Sequence, residues 1–81
     1  MTPALLRSCG EALYGRQWQA PLARDLNVAL RTVQRWAAGE FGMPKGTAEK
    51  LKTLLLTRQN AIDMLLVKVR GEALIEWLAI S

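Results

Sequence analysis

A chain of 81 residues with a net charge of +4, one Cys and no His suits a single small domain, one that buries only ~60–65% of its unfolded surface. A lone Cys excludes an internal disulfide, and the lack of His excludes a Cys/His zinc site and removes the commonest general base, so no enzyme, metal or cofactor is expected. The positive charge is local: residues 16–52 hold seven Lys or Arg against three Asp or Glu, while the remainder balances four against four, which points that middle segment towards a polyanion.

In chain order, Thr2 can cap a first helix that begins at Pro3 and ends at Gly15 in a left-handed conformation. Leu5, Leu6, Cys9, Leu13 and Tyr14 form its apolar stripe, with Cys9 read as a buried thiol. A second helix is expected from about Ala20 to Leu26, with Pro21 tolerated in its first turn and Leu22, Ala23 and Leu26 inward. Asn27 follows where the chain must turn sharply, because Asn tolerates the left-handed region best after Gly. A third helix runs from about Leu30 to Ala38 and stops at Gly39, with Val28, Val33 and Trp36 inward. Trp36 falls on the core phase. Trp18 has two readings, a staple between the first two helices or a contact on the phosphate side. Arg24 and Asp25 read as a solvated face or a local ion pair.

The segment "GEFGMPKG" is the one clear loop. A long helical tract then starts at Thr47, as its cap, and continues towards Ile80, with Gly71 as its only soft point. The fold class is all-α, a compact unit of four or five helices. Residues 1–57 form the domain that holds the short helices, and residues 58–81 a C-terminal helical extension of the same unit, read as a dimerisation element. The tract carries too many apolar residues to hide on one face. A homodimer through Ile62, Leu65, Leu66, Val69, Ile75, Trp77 and Ile80 is the favoured outcome, ahead of a monomer that folds the tail onto itself.

Two short helices meeting at a tight turn define a helix-turn-helix, centred on residues 19–38. With Leu22, Ala23, Leu26, Val28, Val33 and Trp36 turned inward, the third helix leaves Arg31, Thr32, Gln34 and Arg35 on its outer face. These side chains suit base edges: Arg pairs bidentately with guanine, Gln with adenine, and the Thr methyl meets a thymine methyl.

The segment "QAPLARDLNVALRTVQRWAAG" resembles the helix-turn-helix of the phage repressor and Cro superfamily of transcriptional regulators, over roughly residues 10–57. The likeness rests on Gln19, Leu22–Ala23, Leu26, Val28, Val33, Trp36 and the run "RTVQRW". The resemblance implies that the third helix lies in the major groove, that Arg31, Thr32, Gln34 and Arg35 read bases, and that Gln19 and Lys45 contact phosphates. Arg16 and Lys50 are further phosphate candidates. Two departures stand out: Asn27 replaces the usual turn Gly, and Ala29 replaces the usual capping Ser or Thr, at a cost of ~1 kcal/mol.

The function implied is a transcriptional regulator, most simply a repressor, that binds a palindromic duplex as a homodimer. The first residues, "MTPALLRSCG", lack a basic n-region and a long apolar stretch, and no run approaches the ~18–20 residues of a membrane span. A cytoplasmic bacterial or phage protein, nucleoid-associated when bound, is the expected setting. Three other readings stay open at this stage: an antitoxin gripping a toxin through the C-terminal helix, a targeting piece of a recombination or replication apparatus, and a module that binds protein rather than DNA.

Overall fold

Thr2 starts the first helix as expected. In this computed structural model, which describes residues 1–80 and, for Ile80, the backbone only, the Thr2 hydroxyl accepts the Leu5 N–H at 3.1 Å. Helix α1 spans Pro3–Tyr14, and Gly15 ends it by donating to the Glu11 carbonyl at 2.8 Å. Helix α2 is Gln19–Leu26 and α3 is Leu30–Ala37, each within one residue of the expected bounds. Helix α4 runs without a break from Lys45 to Ile80, giving four helices and no strand among the described residues.

Helices α2 and α3 close with the same backbone device. Asn27 adopts φ 57, ψ 46, its N–H meets the Arg24 carbonyl at 3.1 Å, and the Val28 N–H meets the Ala23 carbonyl at 2.9 Å. Gly39 at φ 79 repeats this, with Gly39 N–H to the Trp36 carbonyl at 3.1 Å and Glu40 N–H to the Arg35 carbonyl at 3.0 Å. Both are Schellman closures, which satisfy the last helical carbonyls and turn the chain sharply. The start of α3 lacks such help. Ala29 is extended and offers no side-chain cap. Replacing Ala29 with Ser should therefore stabilise the fold by about 1 kcal/mol and raise the melting temperature by roughly 5 °C; no gain would mean that backbone or solvent already satisfies those N–H groups.

The core joins Leu6 and Leu13 of α1, Trp18, then Leu22, Ala23 and Leu26 of α2, Val33 and Trp36 of α3, and Leu51 of α4, with no buried polar side chain among the described residues. Trp18 decides between its two readings. It is only 3% exposed, and its indole lies against buried Gly10, so it packs α1 onto the start of α2 rather than facing a ligand. Two stripe residues of α1 sit differently from expectation. Leu5 is exposed and lines a shallow apolar groove with Leu51, Leu55 and Leu56 of α4, because it lies a quarter-turn off the Leu6–Gly10–Leu13 line. Cys9 is half-buried against the core rather than fully enclosed.

A polar tie joins α1 to α2: the Tyr14 hydroxyl donates to Asp25 Oδ2 at 2.5 Å. Asp25 therefore pairs with a phenol, not with Arg24. Burial, then the hydrogen bond to Asp25 and that residue's negative charge, push the Tyr14 phenol up to about 12. The folded state thus favours neutral Tyr14. Its contribution is complete below the ordinary phenol range near 10 and is lost as pH rises through 12. Thermal melts between pH 9 and 12 should fall more steeply for the native chain than for Tyr14→Phe; parallel curves would discount the tie.

Helix α4 begins at Lys45 rather than at Thr47. Pro44, with its fixed φ, supplies the carbonyl that accepts the Ala48 N–H at 3.0 Å, so Thr47 lies inside the first turn instead of capping it. The helix passes through Gly71, whose cost of about 1 kcal/mol is too small to break a run of good helix formers. Its first turns pack on α1 and α2 through Leu51, Leu54 and Leu55. Arg58 makes the last anchoring bond, donating from Nη1 to the Leu13 carbonyl at 2.8 Å. From Leu56 to Ala79 every residue is exposed. The molecule is 59 Å long and about 20 Å thick, a head with a protruding helical stalk. The tail does not fold back on the head. Among the described residues, no helix is long and apolar enough to cross a membrane.

Candidate nucleic-acid interface

With Val33 and Trp36 driven inward, the helical period leaves Arg31, Gln34 and Arg35 on the far side of α3. They line one shallow depression together with Ala38 and Glu40. Thr32 does not join them. It is half-buried on the flank of α3, roughly a quarter-turn from the inward direction. Leu30 flanks the other side, half-exposed.

A second depression adjoins the first through Gln34. It is an open cleft of about 560 Å³ where α1, the α1–α2 turn, the start of α2 and α3 meet, and its polar lining includes Arg7, Arg16, Gln17, Gln19 and Gln34, with Glu11. Trp18, the residue before α2, provides no side-chain cap. The first turn of α2, Gln19 to Pro21, with the positive end of its dipole, thus lines a cleft that holds two Arg side chains, a setting that favours an anion. Four Arg and two Glu line the two depressions, so the continuous surface is cationic.

The proposed phosphate contacts divide. Arg16 and Gln19 share the cleft beside α3. Lys45 and Lys50 are exposed on the first turns of α4, which packs on α1 and α2 but not on α3, and they line neither depression. Arg7 was not expected at this site. It lies outside the helix-turn-helix in sequence, and only the way α1 crosses the other two helices brings it there. Glu40 and Phe41 were equally hidden, since the sequence marks them only as loop. The Arg35 Nε lies 3.9 Å from Glu40 Oε2, an ion-pair distance too long for a hydrogen bond, and the Arg35 guanidinium sits 5.5 Å from the Phe41 ring centre.

Of the seven stalk positions named above, Ile62, Leu65, Leu66 and Val69 continue the line of Leu51, Leu54 and Leu55 along α4 at three- and four-residue spacing, and all four are exposed. Ile75 and Trp77 are also exposed but lie roughly 120° and 80° round from that line. The Ile80 side chain lies outside the described residues. A second apolar line, Met64, Val67, Leu74 and Leu78, runs along the opposite side. No group of three or more Asp, Glu, Cys or His is placed to hold a metal among the described residues. Comparison with protein-family models, curated proteins and solved structures finds no match to this chain.

Proposed function

We propose that this chain is a sequence-specific duplex-DNA-binding regulator, acting as a repressor, that lays α3 in the major groove. The observation that carries this reading is the joint exposure of Arg31, Gln34 and Arg35 on one face, beside a cleft lined by Arg7, Arg16 and Gln19. The face offers donors and acceptors matched to guanine and adenine edges, and the cleft offers the start of α2 to a backbone phosphate. An eight-residue helix is roughly 12 Å long, about the width of the groove it would enter. The tight turn at Asn27 and the inward apolar set of α2 and α3 resemble those of the phage repressor and Cro superfamily, and kinship with it is part of the proposal. Thr32 touches at most the groove wall, and Lys45 and Lys50 contribute long-range attraction more than contacts.

The stalk supports a homodimer. Ile62, Leu65, Leu66 and Val69 form a stripe that nothing in the head covers, with β-branched residues at two positions seven apart and Leu between them, the pattern that favours two parallel helices. Two heads joined in this way present two copies of α3 to a palindromic site, with half-sites ~34 Å apart. A cytoplasmic, DNA-associated protein follows from this reading. The second apolar line of the stalk favours one other function, an adaptor or antitoxin whose main partner is a protein held by α4; co-purification with one stoichiometric partner and no DNA binding would support it.

The test is a titration of labelled duplex at several salt concentrations. The logarithm of affinity should fall linearly with that of salt, with a slope near −0.9 for each phosphate neutralised. Removing Arg16 or Arg7 should reduce the slope by about one each. Binding that ignores salt would count against the reading.

A further inference from the structure

Among the described residues, Arg35 is the base-reading candidate that has an ion pair and a ring contact, and the backbone puts those partners there. In the Schellman closure at the end of α3, the Glu40 N–H is bonded to the carbonyl of Arg35 itself at 3.0 Å, which Gly39 allows by adopting φ 79. That bond fixes Glu40 next to Arg35 and starts Phe41 in the same direction. The Glu40 carboxylate reaches the Nε side of the guanidinium at 3.9 Å, and the Phe41 ring stands 5.5 Å from the guanidinium carbon.

Both members of the ion pair are well exposed, at 42% and 60% of their side-chain surface, so the contact adds little to folding. Its consequence is geometric. A carboxylate 3.9 Å from Nε and a ring centre 5.5 Å from the guanidinium carbon narrow the choices of a side chain that otherwise samples many rotamers, and the ion pair falls on Nε rather than on the two terminal NH₂ groups, which form the guanidinium's outer edge. That edge is a fork suited to guanine O6 and N7.

Building on the DNA-reading function proposed above, we propose that Glu40, backed by Phe41, is a positioning residue that aims Arg35 at guanine and so sets specificity at one base pair of each half-site. Glu40 also lies in the same depression as Arg31 and Gln34. Its charge there repels phosphate, so it weakens binding to DNA of arbitrary sequence while sharpening the choice of one sequence. Selectivity and general affinity are thus expected to move in opposite directions when the charge is removed, which loss of structure alone would not produce.

The experiment compares the native chain with Glu40→Gln and Phe41→Leu, both at exposed positions. Each is put through selection from the same random duplex pool, and then titrated against the selected and a random duplex. For Glu40→Gln, the guanine preference at one position should drop roughly five- to tenfold, a good part of what a bidentate arginine supplies. Affinity for random duplex at low salt should rise roughly two- to fivefold. Phe41→Leu should lose part of the same preference without the rise. An unchanged preference, or an equal loss on every sequence, would overturn the role of Glu40 while leaving the DNA-reading function standing. A native chain that enriches no sequence would overturn that reading and this inference with it.

Discussion

Replacing Gly10 with Ala is expected to destabilise the head more than any other single change at a glycine. In an open helix the change gains about 1 kcal/mol, because Ala loses less backbone entropy than Gly. Here the new methyl would fall on the Trp18 indole, overlapping Cε3 and Cδ2 and lying 2.8 Å from Cγ. Trp18 cannot withdraw, since it is 3% exposed and packed within the cluster of Leu6, Leu13 and Leu22. Overpacking of this kind costs ~3 kcal/mol or more. A chain this small has only roughly 5–10 kcal/mol in total, so the melting temperature should fall by roughly 10–20 °C. Gly71 is the internal control. It also lies in a helix, but a Cβ there meets nothing within 4 Å, so Gly71→Ala should increase helicity. Circular dichroism melts read both. Stabilisation by Gly10→Ala would show that α1 does not cross Trp18 as described. The double variant Gly10→Ala/Trp18→Leu should cost less than the sum of the two, as expected for residues that share one space.

Removing Arg31 or Arg35 is the second large expected effect, on binding rather than folding. Neither side chain supports the core, so each Ala variant should melt close to the native chain. Each should lose ~1–3 kcal/mol on the selected duplex, roughly five- to 150-fold in affinity, and distinctly less on random duplex. Equal losses on both duplexes would place these side chains on the backbone instead of the bases. The two need not be equivalent. Arg35 lies beside Glu40 and Phe41, and among the described residues neither of these pairs with Arg31. Titration of each variant against duplexes altered at single positions separates them, with the sharper base preference expected to depend on Arg35.

The sequence exposed the trihelical head well, because its markers are local. Thr2 and Pro3 at a helix start, Asn27 at a turn and Gly39 at a helix end each act on the stretch of backbone beside them, and all four behave as their chemistry dictates. The inward set from Leu22 to Trp36 follows from the helical period alone. What the sequence hid depends on how helices cross. Gly10 reads as a neutral small residue until Trp18 is laid across it. Arg7 reads as surface until α1 brings it to the cleft beside Gln19. Arg58 looks like one more cation on a long helix until its Nη1 meets the end of α1. Lys45 and Lys50 are placed by a crossing too. The resemblance names Lys45 as a phosphate contact, and α4 carries both lysines along α1 and α2, outside the two depressions beside α3. The same physics explains why the stalk resisted a reading as one helix or two: a single Gly is a weak stop when nothing else interrupts the run.

Selection of bound duplexes from a random pool, at low and near-physiological salt, tests most directly whether α3 reads DNA. The account predicts enrichment of an inverted repeat, with half-sites about one helical turn apart and guanines where Arg31 and Arg35 reach. Failure to retain duplex at either salt, with the chain folded and its stalk intact, would contradict it.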